Sequence, residues 1–203
     1  MDQASVSAAP DGFALLGEPR RPLLDPERIR DTFHRLSRTE HPDQQAAAAG
    51  SGPAAAFARL NQAQGTLRDP KARLRHLLEL EYPQVRLTGP ASVPPSLADL
   101  FAPIHGLLRE VDEVLARKAA APSALAKALL ARSEFALRER AEERLAEVDA
   151  LQAAALAELR AFDARWEPRP PDAAAVLHDF YQRFAYLSRW GDQLRERLFQ
   201  LGL

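Results

Sequence analysis

The sequence predicts an all-α protein. Its 203 residues are divided by prolines into segments rich in Ala, Leu, Glu and Arg, which have high helix propensity. β-Branched residues are scarce and do not alternate with polar ones, so the pattern of a half-buried strand is missing. Hydrophobic residues make up 46% of the chain and charged residues 27%, as in ordinary globular proteins.

Three helices are predicted in the first part of the chain. Asp25-Pro26 combines an N-cap with proline at the first helical position, and this helix is expected to end near residue 40. A second helix covers about residues 54–67, and Asp69-Pro70 begins a short third one. An apolar turn, residues 13–17, precedes them and ends in glycine. The predicted core residues of the first two helices are Ile29, Phe33, Leu36, Phe57, Leu60 and Leu67.

Three longer amphipathic patterns follow a segment without periodicity. They cover about residues 96–119, with Ser96 as the cap, residues 123–166, and residues 172–201. Whether the middle pattern is one continuous helix stays open. Long amphipathic helices bury their apolar stripes against one another. The predicted organisation is therefore a disordered N-terminus (1–12), a small helical domain (13–81), a linker or elbow (82–95) and a three-helix bundle (96–203).

Composition and motifs exclude several functions. The 27 basic residues are balanced by 28 acidic ones, so we expect no nucleic-acid partner. There is no cysteine, no phosphate-binding glycine loop and no clustered histidine set, so we predict no metal, no cofactor and no catalytic residue. No apolar run is long enough to span a membrane and no secretory signal is evident. The predictions are a cytoplasmic location, no membrane partner and no enzymatic activity.

One tripeptide carries a functional signal. His41-Pro42-Asp43 follows the first predicted helix, and proline there turns the chain sharply after Glu40. Taken alone, the tripeptide is an ordinary helix-terminating proline with a capping aspartate. The segment before it is basic, however, since six arginines between residues 20 and 38 face only three acidic residues. A second helix of similar length follows the tripeptide, and this context favours a functional interpretation.

This arrangement resembles a J-domain. The residues that carry the resemblance are Phe13-x-Leu15-Leu16-Gly17, Leu24-Asp25, His41-Pro42-Asp43, Leu60-Asn61-x-Ala63 and Thr66-Leu67-x-Asp69-Pro70. The ending, residues 73–80, is similar to the HscB (Jac1) subgroup of iron–sulfur cluster co-chaperones, whose J-domain also leads through an elbow into a helical bundle. The resemblance covers residues 13–80 by motif and the rest by architecture. Gln64-Gly65 departs from the usual aromatic residue, and the glycine is expected to weaken its helix by ~1 kcal/mol.

The resemblance implies a partner and the residues that contact it. J-domain proteins stimulate ATP hydrolysis by DnaK-type chaperones, and their His-Pro-Asp motif is required. Carried onto this chain, His41, Pro42 and Asp43 would contact the ATPase. Exposed arginines of the preceding helix would supply the electrostatic encounter; the candidates are Arg28, Arg30, Arg35 and Arg38.

The resemblance also implies a client, possibly the iron–sulfur cluster scaffold protein. HscB proteins bind it through Leu-Met-Glu and Arg-Glu elements on the first bundle helix. Two stretches match loosely, residues 107–113 and 136–140, and the choice between them stays open. The candidate client-binding residues are Leu107, Leu108, Glu110, Leu137, Arg138 and Glu139.

An alternative interpretation is a structural or adaptor protein with a repurposed J-like domain. Apolar stripes at heptad-like spacing suit an oligomeric coiled coil as well as an internal core. The intact His41-Pro42-Asp43 argues against this alternative, because a repurposed domain has no need of the motif.

Overall fold

The computed structural model describes residues 11–39, 53–87 and 93–202. Within these ranges all regular structure is helical and no strand is present, which confirms the all-α prediction. The motif His41-Pro42-Asp43 lies outside the described residues, as do residues 88–92 of the predicted elbow and residues 1–10 of the N-terminus that was predicted to be disordered (1–12). The prediction was wrong for residues 11 and 12, because Asp11 caps the first helix and Gly12 begins it.

The first helix, α1 (Gly12–Leu16), is closed at both ends by local hydrogen bonds. The Asp11 carboxylate accepts from the backbone N–H groups of Phe13 and Ala14, at 3.0 and 3.2 Å. At the other end Gly17 adopts a left-handed conformation (φ 61°), and the N–H of Glu18 donates to the carbonyl of Phe13. The predicted apolar turn is thus a one-turn helix, with Phe13 fully buried.

The next three helices follow the predicted starts. They are α2 (Pro26–Thr39), α3 (Pro53–Arg68) and α4 (Pro70–Glu81). The Asp25 carboxylate accepts from the N–H of Glu27 at 2.9 Å, and the Asp69 carboxylate accepts from the N–H of Ala72 at 2.6 Å. Helix α3 contacts α1, α2 and α4, which places it at the centre of this group.

Most of the predicted core residues are buried, with one error. Ile29, Phe33, Leu60 and Leu67 lie in the interior. Leu36 is half-buried. Phe57 was wrongly assigned to the core, because its side chain is 45% exposed. It lies near the beginning of α3. Among the described residues its one aromatic contact is with Phe33, and the two ring centroids are 6.2 Å apart.

Helix α5 (Ala98–Ala120) begins differently from the prediction. Ser96 lies inside a 3₁₀ turn, Pro95–Leu97, and Leu97 is the N-cap without any side-chain hydrogen bond. The tight turn begins at Pro95, whose ring suits the first position of a turn, and it moves the helix cap by one residue, from Ser96 to Leu97. The apolar face of α5 is buried, and Leu107 and Val114 belong to it. The 4-3 spacing of apolar residues in this pattern also assigns Phe101 to the buried face, and that assignment is wrong, because Phe101 is exposed.

The middle pattern is interrupted. Ser123 caps a short helix, α6 (Ala124–Ala128), by accepting from the N–H of Ala126 at 3.2 Å. Leu129 and Leu130 form a turn before α7 (Ala131–Asp163). The open question of continuity is thereby answered: a 33-residue helix follows a one-turn helix.

The last helix, α8 (Ala173–Leu201), runs antiparallel to α7. Arg183 pairs with Glu158 and Arg195 pairs with Asp149, so the residue number falls along α7 as it rises along α8. Helices α5 and α7 are antiparallel in the same way, through the pairs Lys118–Glu134 and Arg140–Glu110. Buried aliphatic residues and Trp190 from α5, α7 and α8 form a continuous core among them.

The chain forms two compact units. The first consists of the described residues of Met1–Leu87 and Phe162–His178, and the second of the described residues of Thr88–Ala161 and Asp179–Leu203. The first unit therefore includes the end of α7, the turn after it and the beginning of α8. In the parts that the structure describes, every helix is too short or too polar to cross a bilayer. The cytoplasmic location stays a prediction.

Candidate functional site

The four candidate arginines of α2 are all exposed, and they differ in their neighbours. Arg28 donates from Nε to Glu18 Oε1 at 3.0 Å, and the Glu18 side chain is only 3% exposed. Arg30 pairs with Glu27 and lies 3.4 Å from Asp31. The positive charge of the first half of α2 is therefore largely neutralised by acidic residues of the same unit.

The second half of α2 carries unneutralised positive charge. Arg35 and Arg38 are exposed, and neither forms an ion pair with any described residue. Arg38 also lies in the last turn, where a cation stabilises the helix by interacting with its dipole. Ile29 and Phe33 are buried, so the helix presents these two arginines to solvent while its apolar stripe anchors it. Arg35 and Arg38 are the last two cations before His41.

Arg20 and Arg21, two of the six arginines of the basic segment, precede α2 and are bound by acidic residues. Arg20 donates to Asp11 at 2.6 Å and to Glu81 at 2.8 Å. Burial alone would raise the pKa of Asp11, but the hydrogen bonds from Arg20 and from two backbone N–H groups outweigh it and hold that pKa below its usual range. These two arginines therefore stabilise the fold of the first unit.

A buried carboxylate lies at the end of α7. Asp163 is 7% exposed and accepts two hydrogen bonds from the Arg21 guanidinium and one from the N–H of Leu23, at 3.0 Å. The hydrogen bonds from Arg21 to Asp163 raise the pKa of that arginine. The indole N–H of Trp166 donates to the carbonyl of Arg20 at 3.1 Å. Residues 162–178 are thus held to the segment before α2 by specific polar contacts.

Two further polar residues of α4 are buried and were not singled out from the sequence. Arg73 is 2% exposed and donates to the carbonyls of Pro22 and Leu67, at 2.7 and 2.6 Å. Burial lowers its pKa to about 10, so the guanidinium remains charged at neutral pH. His76 accepts from the N–H of Gly12 at 3.0 Å. The sequence signal that could have identified them is the position of Arg73 and His76, three residues apart, on the apolar face of a short helix.

The candidate client-binding residues separate into two groups. Leu107, Leu108 and Leu137 belong to the core of the second unit, so their side chains are covered. Glu110, Arg138 and Glu139 are exposed. The two alternative stretches lie on adjacent helices, since Arg140 of the second donates to Glu110 of the first at 2.5 and 3.1 Å. Arg138 is bound within α7 by Glu142, at 2.9 Å. The two stretches together present charged side chains above the buried leucines.

The described residues contain no group of three or more histidine, aspartate or glutamate side chains that could hold a metal ion. The absence of a metal site elsewhere stays a prediction.

Comparison with known proteins shows what the chain resembles. No family model matches the chain. Co-chaperone protein HscB homologues from Bordetella pertussis and Bordetella parapertussis are each 39% identical to it over 75 residues, which are 36% of this chain and 44% of each relative. The match thus spans less than half the length of these curated relatives. Chaperone HscB from Vibrio cholerae shares the fold, with a TM-score of 0.57 and 23% identity, over 94% of this chain and 99% of that one.

The helix order defines an all-α protein with the fold of HscB, in which a J-domain precedes a C-terminal helical bundle. Within that class, the chain is HscB-like.

Proposed function

We propose that this protein is a J-domain co-chaperone that stimulates ATP hydrolysis by a DnaK-type chaperone and delivers a client bound by its C-terminal bundle. The observation that carries the proposal is an intact His41-Pro42-Asp43 in a chain that is 39% identical, over 75 residues, to co-chaperone HscB homologues. The second half of α2 supports it, because its exposed cations lead directly to the motif.

The arginines have unequal parts in this proposal. Arg35 and Arg38 face solvent without acidic partners among the described residues, so their field attracts an acidic surface on the chaperone and raises the association rate. Arg28 and Arg30 contribute less, because Glu18, Glu27 and Asp31 cancel most of their charge. His41 and Asp43 would then make the specific contacts.

The chemistry belongs to the partner. Hydrolysis takes place in the nucleotide site of the chaperone, so this chain supplies binding energy and orientation and no catalytic residue. Two binding events are coupled: the J-domain binds the ATPase while the bundle holds the client. Coupling of this kind raises the local concentration of client at the chaperone.

The proposed client is an iron–sulfur cluster scaffold protein, as the HscB likeness suggests. Of the candidate client-binding residues, Glu110, Arg138 and Glu139 are available for direct contact, since they are exposed. Leu107, Leu108 and Leu137 would act indirectly, by packing the helices that carry those charges.

Single-turnover ATP hydrolysis by the host's own DnaK-type chaperones tests the proposal. We expect the wild-type chain to accelerate hydrolysis and His41→Gln to abolish the acceleration while leaving the circular dichroism spectrum unchanged. Full stimulation by His41→Gln, or none by the wild type with any host DnaK-type chaperone, would overturn the proposal. Binding of the purified scaffold protein to the full chain, measured by calorimetry, separately tests the client.

A further inference from the structure

Four exposed apolar side chains lie at one end of the second unit. Leu125 and Leu129 belong to α6 and the turn after it, Phe135 to the beginning of α7 and Phe199 to the end of α8. Each is between 63% and 74% exposed, whereas the other exposed large apolar side chains of the described residues are at most 45% exposed. We call this set the apolar end. Several such side chains at one end indicate an interaction surface, since single ones are normal on a soluble protein.

Contacts between helices place these residues at the same end. Lys118 Nζ lies 3.3 Å from Glu134 Oε2, which joins the end of α5 to the beginning of α7. Gly202, at the end of α8, lies beside the Arg138 guanidinium of α7. The segment that carries Leu125 and Leu129 connects α5 to α7 and therefore lies at this end as well.

The charges around the apolar end are balanced. Five ion pairs join charged side chains within residues 109–143 and 192–202. The charged side chains of these ranges that form no ion pair with any described residue are four cations, Arg109, Arg117, Lys127 and Arg132, and four anions, Glu113, Glu139, Glu143 and Glu196. All eight are exposed. A partner of a single charge sign would therefore leave four like charges facing it.

On α7 the two signs are separated by Phe135. Arg132, Phe135 and Glu139 follow one another at spacings of three and four, so they share one face of the helix, which we call the outer face. Leu137 and Ala141 are buried on the opposite side. Arg132 precedes Phe135 by about one turn and Glu139 follows it by about one turn, and neither has an ionic partner among the described residues. The outer face thus has an apolar centre with opposite charges on its two sides.

We propose that the apolar end binds a second copy of this chain, through an antiparallel pair of α7 helices whose two-fold axis passes beside Phe135. The axis exchanges the two sides of the outer face, so Arg132 of each copy lies opposite Glu139 of the other. Both free charges are then paired twice, and the two Phe135 rings pack together between the pairs. This inference goes beyond the proposed co-chaperone function and does not depend on it.

The arrangement of charge favours a second copy over the other occupants. An anionic bilayer attracts the four free cations but repels the four free anions, and the whole chain has a net charge of −1. A parallel pairing of two α7 helices would place Arg132 against Arg132 and Glu139 against Glu139. Only the antiparallel pairing brings opposite signs together on both sides of Phe135.

Sedimentation velocity of the full chain tests this inference. We expect a reversible monomer–dimer equilibrium between about 1 and about 200 µM, because an interface of a few apolar side chains per copy is small. Phe135→Ser should raise the dissociation constant of the dimer about tenfold or more, as expected on removal of a central aromatic anchor. Its circular dichroism spectrum should match that of the wild type, since Phe135 is 63% exposed.

A charge swap tests the proposed register. Arg132→Glu places a glutamate opposite Glu139 of the other copy, and Glu139→Arg places an arginine opposite Arg132. Each single variant should raise the dissociation constant about tenfold or more, since like charges then face each other twice. The double variant should return to within about threefold of the wild type, because both pairs form again with reversed sign. The control is Arg160→Glu, an exposed and unpaired cation near the other end of α7, which should dimerise as the wild type does.

Crosslinking locates the axis. The chain contains no cysteine, so a single introduced cysteine reports only on its own position. Phe135→Cys should be joined to a second copy by a bismaleimide that spans the ~8–10 Å between packed helices. Arg160→Cys is the matched control and should remain uncrosslinked at the same concentration.

Four results would overturn the inference. They are a wild type that stays monomeric over the whole range, dimerisation of Phe135→Ser equal to that of the wild type, a charge swap as weak as the single variants, and a monomer that binds phosphatidylglycerol vesicles. ATPase stimulation is measured on the same samples. Stimulation by a chain that stays monomeric removes only this inference, and a dimer that does not stimulate removes only the co-chaperone proposal.

Discussion

Arg21 and Asp163 are 142 residues apart in sequence, and two hydrogen bonds of 2.6 and 3.1 Å join their side chains. Asp163 is almost fully buried, and Arg21 is about one-third exposed. The pair connects the segment before α2 to the end of α7, so the first unit includes residues distant from its own helices in sequence. The fold of the N-terminal region therefore depends on residues 162–178, which lie outside the motifs of residues 13–80.

The Asp163→Asn variant tests the importance of this pair. The neutral asparagine amide cannot balance the Arg21 charge. One oxygen of the Asp163 carboxylate is replaced by an NH₂ group, a hydrogen-bond donor that faces the donors of Arg21. We expect the free energy of unfolding to fall by about 1–3 kcal/mol. This loss is smaller than for a fully buried ion pair, because the Arg21 side chain is partly exposed and water can solvate its charge. Chemical denaturation measures it. The control is Asp149→Asn, because its pair with Arg195 is half exposed, and it should change stability by less than about 0.5 kcal/mol. Equal losses in the two variants would contradict the special role of Asp163.

Arg35 and Arg38 should control the rate of encounter with the chaperone. Changing both to alanine removes the unpaired charge of α2, so we expect association to slow by about tenfold at low salt and the difference to shrink at high salt. Stopped-flow binding to the DnaK-type chaperone measures this. Arg30→Ala is the matched control, since Arg30 is exposed on the same helix but paired. If Arg30→Ala slows association as much as the double variant, the division of α2 into neutralised and free halves is wrong.

His76 makes stability depend on pH. Burial lowers the pKa of His76 below its usual value near 6.5, and its neutral Nε2 accepts from the N–H of Gly12. The unfolded chain therefore binds the proton more readily than the folded chain. The stabilisation is fully present above about pH 6.5 and is lost as the pH falls through the lower folded pKa, with a slope of at most about 1.4 kcal/mol per pH unit from this group. Denaturation curves between pH 8 and pH 5 measure it, and His76→Asn should have a smaller slope. An identical slope in that variant would show that other groups cause the dependence.

Arg73 should resist replacement by lysine. Its guanidinium reaches two carbonyls in different directions, at Pro22 and Leu67, and an ammonium group at the end of a flexible chain does not reproduce that fork. We expect Arg73→Lys to lose about 1–3 kcal/mol, because a buried acceptor is left without its donor. Arg75→Lys, at an exposed position of the same helix, should be within about 0.5 kcal/mol of the wild type. Thermal denaturation compares the two, and equal midpoints would contradict the prediction.

Gly65 offers a gain in stability. It lies inside α3, and a Cβ built at this position meets no other atom within 4 Å. Gly65→Ala should therefore add about 0.5–1 kcal/mol, because alanine has the better helix propensity. The control is Gly12→Ala, where the new Cβ would contact Ala63 and His76 at 3.5–3.6 Å and no such gain is expected. Destabilisation by Gly65→Ala in urea denaturation would contradict the open space seen here.

Local signals in the sequence predicted the helices well. Asp25-Pro26, Asp69-Pro70 and Ser123 each cap the helix expected of them, because a capping bond joins residues two or three positions apart. The apolar residues of the middle pattern recur at spacings of four and three from Leu137 to Phe162, and this spacing coincides with the buried face of α7. The motif residues that suggested a J-domain were recognisable for the same reason, since they are contiguous or nearly so.

What the sequence determined by itself was therefore the helical class, most helix starts and the resemblance on which the function was proposed. Only the tertiary structure decided that Phe57 is exposed, that α6 and α7 are separate, and that Arg20 and Arg21 are bound by Asp11, Glu81 and Asp163. The physical reason is the sequence distance over which each kind of interaction acts. Helix propensity and capping depend on neighbours within one or two turns, whereas the burial of a side chain and the partner of a charge depend on residues that packing brings together from distant parts of the chain.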